Sequence, residues 1–210
     1  MSDDRKMLSF SAAVAADILS ACSIPGGSTL TEFADAYLAK KRKEARDAFI
    51  EEMAKGDVQF DPQDIDPLID VIMRFSKAVA DGAARENLCL LAKVIAGLKK
   101  HKALDGDKFR KWCGILEGLT RDELICIGKA YIVMKRIAVT EEGAASMFTK
   151  DLIAELKSGG YDGEIYALLA SVSRTGLLTP VSAFGSMAYM FTPWLKELGD
   201  LASIETLVHP

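Results

Sequence analysis

The chain of 210 residues is poor in the groups on which most enzymes and metal sites depend. Its two histidines are His101, in a lysine-rich turn, and His209, and neither stands near a recognisable nucleophile motif. An imidazole base paired with a serine or cysteine nucleophile is therefore not expected. The four cysteines, Cys22, Cys89, Cys113 and Cys126, are 67, 24 and 13 residues apart. That fits no paired zinc or redox spacing. Each falls inside an apolar helical pattern, so buried, reduced thiols in a cytoplasmic protein are expected. No uncharged apolar run reaches the roughly 18 residues that a membrane span needs. Positive charge is also short: 26 Lys and Arg stand against 30 Asp and Glu, a formal net of −4. Nothing draws the whole chain to a phosphate backbone or an anionic bilayer, and a membrane is not an expected partner.

Three short motifs that suggest ligands have plainer readings. "PGGST", Pro25 to Thr29, lacks the lysine and spacing of a phosphate-binding loop. "DGD" at residues 105–107 lacks the remaining ligands of a calcium loop. "DPQDIDPLID" carries Asp61, Asp64, Asp66 and Asp70, but aspartate before proline is the expected start of a helix, with Pro62 or Pro67 at the first helical position. Acids in a first turn also favour the helix dipole. "LSAC", Leu19 to Cys22, has the form of a lipoprotein cleavage site; Asp17 charges the stretch before it, and Asp3 and Asp4 offset Arg5 and Lys6. It reads instead as helix interior. No catalytic residue, cofactor or metal ligand is assigned.

What the chain has in quantity is helical period. Met7, Phe10, Val14, Ile18 and Ala21 recur at helical spacing, so residues 7–22 read as a separate amphipathic helix. "PGGS" stops it. Thr29 and Glu32 form a capping box for a second helix, running to about Lys55 with Leu30, Phe33, Ala34, Tyr37, Leu38, Ala45, Phe49 and Met53 on its buried stripe. A third helix is expected to end at Asp81-Gly82. "ENLCLLAKVIAGL", Glu86 to Leu98, is apolar nearly all round and is the expected central helix, because only covered helices tolerate that. Residues 107–117 make a short amphipathic helix and close a first domain.

From Thr120 the spacing Thr120/Glu123 repeats the capping box. It predicts a helix to about Ile137, a second over roughly 141–157, and a third capped by Asp162 that runs to about Arg174. The inward face of the third is Ile165, Leu168, Leu169 and Val172, leaving Glu164, Ala167, Ser171 and Arg174 outward. After Gly176 the helical period stops. "LLTPVSAF" and "MAYMF" flank a small-residue turn, as in a hairpin, before Thr192-Pro193 starts a last helix carrying Trp194, Leu195 and Leu198.

Three helices, a "GLL" exit, a hairpin and the return "Y.FTPWLKEL" resemble the winged-helix superfamily, especially regulators whose wing leads into "Y.LTPLG..L". The resemblance covers residues 120–202. It implies that residues 162–174 enter a DNA major groove and that the wing near Ala183 to Met187 touches phosphates. Charge argues otherwise, since residues 120–210 hold eight Lys or Arg and eleven Asp or Glu, a net of −3. Elsewhere the basic run "KKRKEAR", Lys40 to Arg46, spreads around its helix beside Glu44 and Asp47.

The expected architecture is mainly α: an N-terminal helical domain, residues 1–118, with the separate helix at 7–22, then a winged-helix-like domain with a short β-hairpin, residues 119–210. The expected function is a non-enzymatic protein-interaction or adaptor role, with self-association or a protein partner engaged through residues 7–22. A DNA-binding transcriptional regulator is the alternative, and an enzyme using distant carboxylates the remote one. The candidate nucleic-acid or partner surface is Lys40, Arg42, Lys43, Arg46, Lys150, Lys157, Ser171 and Arg174.

Overall fold

The computed structural model describes residues 31–140, 145–183 and 186–208, and there the helical periods become eight α-helices, two 3-10 turns and one hairpin. The protein is mainly α-helical with a small two-stranded antiparallel sheet near its C-terminus. The segment at residues 7–22, the "PGGS" joint and Thr29 of the first capping pair lie outside the described residues. The chain divides between Gly118 and Leu119 into two units.

In the first unit α1 (Thr31–Lys55), α2 (Ile65–Ala80), α3 (Arg85–Lys100) and α4 (Gly106–Leu116) follow one another. The central position of α3 is explained by its composition: Leu88, Leu90, Leu91, Ala92, Val94, Ile95 and Leu98 are all buried, and α1, α2 and α4 each pack on it. Trp112 and Phe109 of α4, and Phe49 of α1 tilted on Phe75 of α2 at 6.0 Å, complete the core. Tyr37 does not join the buried stripe of α1; it is 53% exposed, and from Tyr37 onward the first buried residue of that helix is Ala45. Length explains the difference. α1 has 25 residues and its neighbours α2 and α3 have 16 each, so at 1.5 Å per residue about 13 Å of α1 overhangs them.

The aspartate run serves as a cap held by a lysine. Asp64 accepts the Asp61 N–H at 2.6 Å, and Lys99 reaches Asp61 at 2.8 Å and Asp64 at 2.5 Å. Asp64 stands at the N-cap of α2, so Asp66 and Pro67 lie within its first turn and not at its start. Asp105 of "DGD" caps α4, accepting the N–H groups of Asp107 and Lys108 at 3.0 and 2.9 Å. At the other end of α4 the buried Asn87 donates to the carbonyl of Leu116 at 2.6 Å, which satisfies a helix-end acceptor away from water.

The second unit runs α5 (Arg121–Thr140), α6 (Ala145–Ser158), α7 (Ile165–Ser173), β1 (Leu178–Ala183), β2 (Ser186–Phe191) and α8 (Pro193–Ala202). Asp162 is not the cap of α7. The helix starts three residues later, with Glu164 at the N-cap, because Tyr161 to Glu164 close a turn of their own through the Glu164 N–H to the Tyr161 carbonyl at 3.1 Å. Leu168 is half-buried, whereas Ile165, Leu169 and Val172 are buried.

The strands pair from Leu178 opposite Phe191 to Ala183 opposite Ser186, which sets Pro180 against Tyr189. Proline can stand there for a reason found on α6. The Thr149 hydroxyl accepts the N–H of Tyr189 at 2.6 Å and donates to its carbonyl at 3.0 Å. Both backbone groups of Tyr189 thus point away from β1, and its partner needs no N–H to return. Phe148 of α6 packs edge-on against Phe191 at 5.3 Å. At the base of the ribbon Gly176 has φ +77°, and a Cβ on it would lie 3.0 Å from Trp194 Cζ3, so both conformation and the approach of the indole call for glycine. Trp194 therefore covers the hairpin exit and remains 43% exposed, while Leu195 and Leu198 fill the core. Thr192 occupies the N-cap of α8 without capping it; its hydroxyl donates to the Gly176 and Leu177 carbonyls at 2.8 and 3.2 Å.

Candidate functional site

The face of α7 opposite its buried stripe borders the first turn of α5, and between them lies a groove of about 490 Å³. Its anchor is Glu123. The capping box forms: the Glu123 N–H donates to Thr120 Oγ1 at 3.2 Å, and Glu123 Oε2 accepts the Thr120 N–H at 2.7 Å. The other carboxylate oxygen faces α7, where it accepts from the Ser171 hydroxyl and from Arg174 Nη2, the latter at 2.9 Å. Glu123 is 3% exposed. Burial pushes its carboxyl upward, but the hydrogen bonds from Ser171, the Thr120 backbone and Arg174 outweigh burial and bring the pKa from 4.5 down to about 2. A group lowered in this way stabilises the fold fully above the ordinary carboxylate range and loses that contribution as pH falls from 4.5 towards about 2. Urea unfolding midpoints across that interval are expected to drop in the native protein, and Glu123→Gln should flatten the slope.

Ser171 and Arg174 are thus brought together, and the structure adds to them a carboxylate 51 residues away from Arg174. That partner had one available signal: a glutamate at the third position of a capping box must sit at the helix start, beside whatever packs there. At the groove's other end Tyr161 donates to Asp122 at 2.8 Å. Burial, and then that bond, raise the Tyr161 phenol above its ordinary range. Glu164, Ala167 and Leu168 line the remainder.

The other candidate residues lie elsewhere. Lys150 and Lys157 are exposed on α6 and do not line the groove. On α1, Lys40 and Lys41 stand 4.0 and 3.7 Å from Glu44, while Arg42, Lys43 and Arg46 line a shallow depression of about 330 Å³ beside Ala39. Further cations of the second unit are engaged. Lys129 donates to the Glu155 carbonyl at 2.9 Å, Arg136 to the Glu155 carboxylate at 2.6 Å, and Lys135 stands 3.5 Å from Glu205. The bond from Arg136 holds the Glu155 carboxyl below its ordinary range.

Residues 178–191, the whole hairpin, contain no charged side chain, and Met187 and Met190 are exposed on it. No group of three or more His, Cys, Asp or Glu placed to hold a metal ion occurs among the described residues, and no helix among them is long and apolar enough to cross a membrane. Comparison with known protein families, curated proteins and solved structures finds no match to the chain.

Proposed function

We propose that the protein is a non-enzymatic interaction protein whose C-terminal unit is a winged-helix-like module that binds another protein. The observation that carries this reading is the hold of Glu123 on Arg174. On the winged-helix reading the outer face of α7 would be the one to meet a duplex, yet its single cation, Arg174, is paired with the buried carboxylate of Glu123. Phosphate neutralisation by Lys and Arg supplies most non-specific affinity. Here half of the unit's eight cations, namely Lys129, Lys135, Arg136 and Arg174, stand within 4.0 Å of a carboxylate.

A reducing, cytoplasmic setting belongs to the same reading. Cys113 and Cys126 are buried among apolar side chains, and burial pushes both thiols up to about 12, which leaves them as inert packing groups.

The alternative, a DNA-binding regulator, draws on the helix–helix–helix–hairpin–helix order and on exposed Lys150 and Lys157. Fluorescence anisotropy with a random labelled duplex at low salt separates the two. No saturable binding is expected up to about 50 μM protein, within the range where non-specific binders saturate. Saturation there, weakening steeply as salt rises, would replace the protein-binding reading with the DNA one.

A further inference from the structure

We infer that the groove between the start of α5 and the outer face of α7 receives an arginine side chain from a partner polypeptide. The inference rests on the protein-binding reading above and names the chemistry of the partner. The lining combines exposed Ala167 and half-buried Leu168 with the carboxylates of Asp122 and Glu164 and the hydroxyl of Tyr161. Glu123 and Arg174 offset one another, so the charge left among the lining residues is that of Asp122 and Glu164. Arg121, next to Asp122 on α5, is the cation that acts on this end of the groove from outside the lining.

Asp122 accepts one bond, from Tyr161, and among the described residues the exposed Glu164 carboxylate has no hydrogen-bond partner. A lining that mixes apolar side chains with carboxylates suits a side chain that is apolar along its stem and cationic at its tip. Arginine fits better than lysine, because a planar guanidinium donates in several directions at once and loses less water on entering. An anionic polymer is disfavoured by the same residual charge.

The test uses the full chain, uniformly labelled with nitrogen-15, and two probes: the peptide acetyl-Ala-Leu-Arg-Leu-Ala-amide and its counterpart with neutral citrulline in place of arginine. The arginine peptide should move the amide resonances of Asp122, Tyr161, Glu164 and Ser171, and bind about tenfold more tightly than the citrulline peptide at low salt. Glu164→Gln, a change at an exposed side chain that makes no capping hydrogen bond, should weaken the arginine peptide about threefold or more while lowering the melting temperature by only a few degrees, roughly the helix-dipole contribution of one acid. Equal affinity for the two peptides, shifts centred away from the groove, or no shift at millimolar peptide would each overturn the assignment. If the peptide fails while duplex binding is also absent, the groove is eliminated and the protein-binding reading stands. If duplex binds, that reading fails first.

Discussion

Gly199→Ala is expected to destabilise the C-terminal unit by about 3 kcal/mol or more, lowering its melting temperature by roughly 12 °C or more for a unit of this size. On an isolated helix the same change would stabilise by about 1 kcal/mol, since glycine is a poor helix former. Packing reverses the sign. A Cβ on Gly199 would fall 1.9 Å from Cε2 and 2.1 Å from Cζ of Tyr131, whose ring belongs to α5 and is 5% exposed. Neither a buried ring nor a buried helix backbone can yield by that amount without separating α8 from α5. Thermal unfolding followed by circular dichroism measures the loss. In a Tyr131→Ala background, which carries its own cavity cost, the glycine change should cost under about 1 kcal/mol, because the colliding atoms are gone. A neutral Gly199→Ala in the native background would contradict the close seating of these two helices.

The second large effect is expected at Thr149. Thr149→Val preserves the shape of the side chain and removes the hydroxyl that meets both backbone groups of Tyr189, which is itself 2% exposed. Each buried group left unpaired costs about 1–3 kcal/mol, so the variant should lose roughly 2–4 kcal/mol in urea unfolding. Thr149→Ser keeps the oxygen and should lose less than about 1.5 kcal/mol, the upper end of what deleting one buried methyl costs. Equal losses for the two variants would mean that the hydroxyl does not matter.

Local features are largely legible in the sequence. The capping pair Thr120/Glu123, the end of α2 at Asp81, the all-round apolar α3 and the return of helix at Pro193 are set by groups a few residues apart, whose chemistry the order of residues displays directly. The misreadings have physical causes. Asp162 satisfies the rules for a cap, but a tight turn at Tyr161 to Glu164 claims those residues first. Tyr37 keeps the period of its stripe although the neighbouring helices are too short to cover it. Trp194 is apolar, yet its ring lies on a glycine at the hairpin exit and not in the core.

The contacts that shape the candidate site were least visible. Arg174 and Ser171 stand on the side of α7 that helical phase turns outward, and period alone leaves them in solvent. Their partner is a glutamate whose local role, closing the start of α5, uses only one of its two oxygens. A carboxylate with two acceptor positions serves two elements at once, and a pattern read along a single helix does not show the second. Thr149 is similar: nothing near it in the chain marks it as the group that meets Tyr189, 40 residues on.

A two-stranded ribbon ordinarily presents two templates along which a visiting strand can align and extend the sheet. Here neither is open along its middle. One flank is met by the threonine of α6, and on the other the central position belongs to Pro180, which has no hydrogen to donate. Extension of the ribbon by a further strand is hindered at the middle of both edges, while Met187 and Met190 stand exposed on it as side chains that a partner can recognise by shape.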